Sequence, residues 1–187
     1  MTLIRSAVPA ATENPLTLAV LGPPLLAFVV YGEPAAQGSK KAAGYRRGRG
    51  GRMVTVLVEQ SKKVKPWRTA VAAAAATALP RAWTPIEGEV VMDLVVSRAQ
   101  LSRPGVGRRL PGTRPDLSKI ARSVEDALHI DLPQIGFKPV FPDDSQVVSY
   151  RRLDKVYCCD PDSDSLRRPG AVIRVWRHPD ARLGGRS

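Results

Sequence analysis

Apolar positions fall in short blocks with two kinds of spacing, separated by polar and glycine-rich stretches. Residues 25–31 (LLAFVVY), 53–58 (MVTVLV), 89–97 (EVVMDLVVS), 145–157 (SQVVSYRRLDKVY) and 171–177 (AVIRVWR) are rich in β-branched residues and bounded by turn formers, so each reads as a strand. Residues 67–79 (WRTAVAAAAATAL) follow Pro66, which suits a first helical position, and Pro80 stops them; they read as a helix. A second helix is signalled more strongly. Asp116 can cap it, and Leu117, Ile120, Ala121, Val124, Ala127 and Leu128 recur at steps of three and four to form one apolar stripe. The order strand, basic loop, helix, strand, basic loop, helix, strand, strand predicts a two-layer α+β domain whose mixed sheet is covered on one face by two helices.

Residues 32–51, with the core GYRRGRGGR, read as a mobile loop; 100–115 form a second basic loop, and 158–169 are polar and turn-rich. The domain is expected over 25–178, after a loose N-terminal extension (1–24) and before a disordered tail (179–187). No internal repeat is present. A length of 187 residues fits one domain.

Charge changes the picture. Lys and Arg number 29 against 17 Asp and Glu, a formal net charge of +12, which points to a polyanionic partner with nucleic acid foremost. The surplus is segregated: residues 38–68 hold ten bases and one acid, whereas 116–164 hold ten acids and six bases. Acids inside a nucleic-acid-binding protein repel the polymer unless they hold a cation, and the bland alternative is a solvated acidic surface.

Several classes are set aside. Cys158 and Cys159 are adjacent, which suits neither a disulfide framework nor a zinc site, and a reducing cytoplasm is the expected compartment. The apolar stretch 16–30 is broken by Pro23 and Pro24, has only Arg5 upstream, and is too short to span a bilayer. Asp160, Asp162 and Asp164 mimic the start of a calcium loop but lack its Gly and late Glu, so a solvated turn is expected. His129 and His178 stand isolated in the sequence and are poor metal or triad candidates; Trp67, Trp83 and Trp176 read as core anchors.

Two elements remain as carriers of chemistry: Arg114-Pro115-Asp116-Leu117-Ser118-Lys119 at the start of the second helix, and Pro142-Asp143-Asp144-Ser145-Gln146 before the next strand. Each alone reads as a cap or a turn; together they can converge on one hard cation. Ser118, Arg122 and Asp126 lie four residues apart on one helix edge.

The run RPDLSKIARSVEDAL followed by DDSQVV resembles the RusA-type Holliday junction resolvases, as do Tyr31-Gly32-Glu33-Pro34, Gln37-Gly38-Ser39-Lys40 and Lys65-Pro66-Trp67-Arg68. The resemblance implies a magnesium-dependent endonuclease, with manganese as an alternative, that acts on DNA as a homodimer and resolves four-way junctions by paired nicks in recombination, repair or phage DNA processing. It assigns Asp116, Asp143 and Asp144 to the metal, and Asp116, Asp144 and Arg122 to catalysis, with Arg122 standing where the family often has Lys. Lys40, Lys41, Arg46, Arg47, Arg49, Arg108, Arg109, Arg114 and Lys119 become DNA contacts. Asp126 falls in the motif without an assigned role.

Ser118 departs from the pattern, because the family's second carboxylate belongs there and a hydroxyl is a poorer ligand for magnesium. Either another acid, Asp126 or Asp143, supplies the charge, or the site holds metal weakly yet cuts, or the protein binds junctions without cutting. A basic module for RNA is a further alternative, and it leaves the acids unexplained.

Overall fold

A computed structural model describes residues 18–38, 40–48, 51–59, 61–100 and 110–181. In chain order the elements are α1 (Leu18–Leu21), β1 (Leu26–Tyr31), β2 (Lys40–Arg47), β3 (Met53–Glu59), α2 (Val64–Ala78), β4 (Val90–Arg98), α3 (Leu117–Leu128), β5 (Val147–Tyr157) and β6 (Gly170–Arg177). Short 3-10 turns occupy Pro133–Ile135 and Asp144–Gln146. Four strands form one sheet in the order β1-β6-β4-β5, and β2 pairs with β3 in a separate ribbon. β6 runs antiparallel to both β1 and β4, whereas β4 and β5 are parallel. The expected α+β architecture with a mixed sheet is the one observed.

Alternation explains which face each strand buries. Leu26, Phe28 and Val30 of β1 face the main core, as do Val90, Met92, Leu94 and Val96 of β4. Against them lie Val64, Trp67, Val71 and Ala75 of α2, and Ile120, Val124, Ala127 and Leu128 of α3. Each of the Val, Leu, Ile, Phe and Met side chains among them contributes about 1.5–3 kcal/mol of transfer free energy when fully buried. Gly170 is required where β6 meets β1, since a Cβ there would stand 2.2 Å from the Val30 carbonyl oxygen.

β4 is buried on both faces, as a central strand must be. Behind it Val91 packs with Trp176 and Leu21, and the Trp176 indole donates to the Gly22 carbonyl at 3.0 Å. Asp93, fully buried on this face, receives Arg151 Nε at 2.9 Å, with Arg174 3.8 Å away. The described part of the expected loose extension, residues 18–24, thus includes a one-turn helix and a contact to the sheet.

Two expectations are corrected. Residues 40–47, read as part of a mobile loop, form β2, paired from Lys40↔Glu59 to Arg47↔Met53 with an irregularity between Ala42 and Gly44. Tyr45, Arg46, Arg47, Met53 and Val54 are all exposed, and a ribbon so open to solvent does not need the apolar alternation that betrays a half-buried strand. The Asp160-Asp162-Asp164 turn is ion-paired rather than simply solvated: Arg152 bonds Asp162 and reaches Asp164 at 3.1 Å, and Arg174 reaches Asp164 at 2.6 Å.

The path β4, α3, β5 positions the site. A parallel pair needs a crossover, and α3 supplies it. Its first turn lies where β4 and β5 end, near Arg98 and Lys155, and its last turn lies where they begin, beside Asp144 and Val147.

Candidate functional site

At the N-terminal end of α3, Asp116 has the extended backbone of a cap residue, but its side chain makes no capping hydrogen bond; the carboxylate stands 3.4 Å from Lys119 Nζ. The capping role read from the sequence is therefore only a backbone one, and the carboxylate is free to face solvent. It borders a cleft of about 580 Å³ lined also by Glu33, Gln37, Lys63, Arg98, Arg114 and Lys119. Within the cleft's lining, Gln37 Oε1 and Arg98 Nε are buried without a hydrogen-bond partner among the described residues. Ser123, buried in α3, donates toward the Ala35 carbonyl at 2.8 Å, and Gln37 N donates to Lys119 O at 3.0 Å, so the segment after β1 is tied to the helix. Ser118 and Arg122 are exposed on α3.

At the other end, ligand atoms of Asp126, His129 and Asp144 all lie within 4.8 Å of one another, each on a half-buried side chain. Asp126 in the last turn of α3 and His129, its C-cap residue, stand at the i,i+3 spacing that stacks side chains on one helix face. The 3-10 turn supplies the third, and its geometry explains the motif. Asp143 accepts from Ser145 N at 2.9 Å while its own N–H donates to Gln146 Oε1 at 3.0 Å, a reciprocal cap. Gln146 Nε2 then donates to the Ile86 and Gly88 carbonyls at 3.0 and 2.7 Å, fixing the turn to the sheet's approach. The hydrogen bonds from Ser145 hold the Asp143 carboxyl below the usual aspartate range. Asp143 is thus committed to the cap, and Asp144 is the member of the doublet that joins the cluster.

The cluster has a charged surround. Arg68 of α2 pairs with Asp126, and Tyr150 of β5 donates to Glu125 Oε1 at 2.6 Å. Burial pushes the Glu125 carboxyl up, opposed by the Tyr150 hydrogen bond and reinforced by the charges of Asp144 and Asp126. His129 Nδ1 lies 3.2 Å from the Glu125 carbonyl oxygen. A carbonyl only accepts, so in this contact Nδ1 is the donor. Crowded carboxylates beside an imidazole fit a divalent ion: magnesium uses one or two carboxylates with water, and the imidazole also suits manganese and softer metals.

The structure does not unite Asp116 with Asp144 in one chain. Ten helical positions separate Asp116 from Asp126, about 15 Å at 1.5 Å per residue, and Asp144 stands with Asp126. The expectation that these acids share an ion within a single subunit is corrected by the length and rigidity of α3. His129, set aside as isolated, stands inside the cluster; its signal was the spacing Asp126-x-x-His129. Tyr150 was likewise missed, and Arg68, Glu125 and Gln146 stood in the quoted motifs without a role in this surround. Among the predicted DNA contacts, Arg114 and Lys119 line the cleft and Arg46 and Arg47 are exposed on β2. Lys40 and Lys41 lie in β2 by backbone, while Arg49, Arg108 and Arg109 fall outside the described residues.

An α+β domain with an acid–imidazole cluster at one end of a crossover helix and an Asp-edged basic cleft at the other is suited to metal-assisted chemistry on a polyanion. The chain matches the family model for Endodeoxyribonuclease RusA over residues 32–162 and belongs to that family. It is similar to the Uncharacterized protein YqaN of Bacillus subtilis (strain 168), with 31% identity over 145 residues, covering 72% of this chain and 89% of that protein. Family membership supports a Holliday junction endonuclease, and RusA-family nucleases depend on metal in general. No described helix is long and apolar enough to cross a membrane.

Proposed function

We propose that the chain is a divalent-metal-dependent endonuclease that nicks four-way DNA junctions as a symmetric homodimer in the cytoplasm of a bacterium or a phage-infected host. The observation that carries the reading is the clustering of Asp126, His129 and Asp144 within 4.8 Å. The proposal includes a two-fold arrangement in which Asp116 of the partner subunit stands beside that cluster, giving two equivalent composite sites for opposed strands.

In each site Asp144, Asp126 and His129 would hold magnesium or manganese, with Asp116 of the partner subunit completing the set. When bound, such an ion polarises a phosphate and lowers the pKa of its water. The protein's own residues do the rest. Lys119, Arg114 and Arg122 offset charge on the phosphodiester, and the Arg122 guanidinium acts as an electrostatic stabiliser rather than a proton donor. The guanidinium of Arg68 holds Asp126 in place. Arg46 and Arg47 on the β2–β3 ribbon grip backbone phosphates without reading sequence.

The test incubates purified full-length protein with a labelled four-way junction, linear duplex and structured RNA, in magnesium, manganese or EDTA, beside Asp116→Asn and Asp144→Asn variants. Paired, metal-dependent nicks near the crossover that both variants lose support the reading. Tight junction binding without nicks in either metal overturns it in favour of a catalytically silent binding protein, and Ser118 favours that alternative. Preference for RNA overturns both.

A further inference from the structure

Asp116 sits at the end of a segment with little structure of its own: residues 110–116 contain neither helix nor strand, and Gly112 N to Leu110 O is a purely local bond. Yet three successive carbonyls ahead of Asp116 are taken by two cations from neighbouring strands. Lys155 Nζ of β5 donates to Thr113 O at 2.8 Å and to Pro115 O at 3.1 Å. Arg98, the last residue of β4, donates to Arg114 O at 2.6 Å and lies 3.4 Å from Glu33.

We propose that Lys155 and Arg98 are positioning residues, a clamp that ties the 113–115 carbonyls to the rigid sheet and so fixes where the Asp116 carboxylate stands. This rests on the reading of Asp116 as part of the metal site.

Three features support the clamp. The strands are adjacent and in register, Val96↔Lys155 and Arg98↔Tyr157, so the two heads emerge from one sheet end. Both cations are partly withdrawn from water: Arg98 has a side-chain exposure of 17%, and burial, followed by the charge of Arg98, pulls the Lys155 ammonium below the usual lysine range against the opposing pull of Asp116. Desolvating cations beside each other is unfavourable unless hydrogen bonds offset it, and the carbonyls ahead of Asp116 provide them. A misplaced carboxylate loses a metal ligand even when the fold is intact, because a hard ion tolerates little departure from its ligand geometry.

The experiment compares wild type with Lys155→Met, which keeps the length and loses the donors, and Lys155→Arg, which keeps charge and donors. Amide exchange is read first, on the full chain without DNA or metal. In Lys155→Met the amides between 110 and 120 should exchange about tenfold faster, the loss of one charge-assisted interaction, with β4 and β5 unchanged, and Lys155→Arg should restore protection. Metal titration of junction nicking is read second. Lys155→Met should raise the half-saturating metal concentration about tenfold while junction affinity in EDTA stays within about twofold.

Unchanged exchange at 110–120 overturns the clamp. Exchange that spreads through β5 overturns it too, since Lys155 then serves only the strand. Local loosening with wild-type metal dependence overturns the positioning role. If wild type nicks no junction, the functional reading fails on its own, and the exchange result still decides whether the clamp exists.

Discussion

Mixing two inactive variants gives the sharpest check on a site shared between subunits. Asp116→Asn and Asp144→Asn each remove one acid, and in the proposed dimer each homodimeric variant would lack a ligand in both sites. Two oxygens on one magnesium ion lie within about 4.2 Å of each other, since each sits at 2.0–2.1 Å from the metal. The span along α3 between Asp116 and the cluster is about 15 Å. In the proposed dimer the composite site would take its acids from different chains, and a heterodimer of the two variants would carry one site with both acids and one with neither. Random exchange at equal concentrations makes half the dimers heterodimers, so about a quarter of all sites are intact. The expected outcome is recovery of single nicks to roughly a quarter of the wild-type rate, with almost no paired nicks, because no dimer holds two complete sites. The assay follows nicked and resolved junction products separately after co-refolding or prolonged mixing. Recovery of neither product, with subunit exchange verified, would refute the shared site.

Other consequences follow from the ion pairs and the charge pattern. Asp93 is fully buried against Arg151 and near Arg174, so Asp93→Ala should cost about 3–5 kcal/mol in urea unfolding by leaving a guanidinium unpaired, whereas the double change Asp93→Leu with Arg151→Met should recover most of it. Arg152 holds the Asp162 carboxyl and Arg174 holds the Asp164 carboxyl below the ordinary value of 3.8. The unfolded chain binds those protons first, so this stabilisation is present above pH 3.8 and is lost as pH falls through the lowered values; Asp164→Asn should flatten the acid limb of the melting-temperature profile. Replacing Arg46 and Arg47 by Ala should weaken binding equally on all junction sequences and reduce the slope of log affinity against log salt by about 1 for each lost phosphate contact, measured in EDTA.

Legibility in the sequence tracked the depth of burial. α3 was readable because its stripe packs on the sheet: Ile120, Ala121, Val124, Ala127 and Leu128 are all buried, and only Leu117 is half-buried. β4 and β6 were readable because they lie inside the sheet. β2 was not, since an exposed ribbon carries charge and glycine where a half-buried strand alternates, and its partner β3 reads only as an isolated run. The acids were found as residue types but joined wrongly. Spacing along a helix gives direction and not convergence, so Asp116 and the Asp143–Asp144 turn looked like one site until the crossover path put them at opposite ends. His129 was missed because its partners come from the same helix one turn back and from a turn fifteen residues on, a meeting that only the return of the chain into β5 creates.

The altered motif and the long helix bear together on Ser118. It is exposed on the first turn of α3, two residues beyond Asp116, and stands at the far end of the helix from Asp126, His129 and Asp144. The charge that the family pattern implies at this position is therefore not replaced locally; the acids that remain nearby in the cleft are Asp116 and Glu33, and Glu33 is turned toward Arg98. Ser118→Asp restores a carboxylate where the helix macrodipole also favours one, worth about 0.3–1 kcal/mol on an exposed first turn, so the melting temperature should rise slightly rather than fall. If the site is weakened for want of a ligand, the half-saturating magnesium concentration for nicking should drop by about tenfold or more, while junction affinity in EDTA falls modestly from the added repulsion of phosphate. A variant that is equally stable, binds junctions more weakly and shows no change in metal dependence would mean that the first turn of α3 does not reach the ion at all, and the metal would then belong to Asp126, His129 and Asp144 alone.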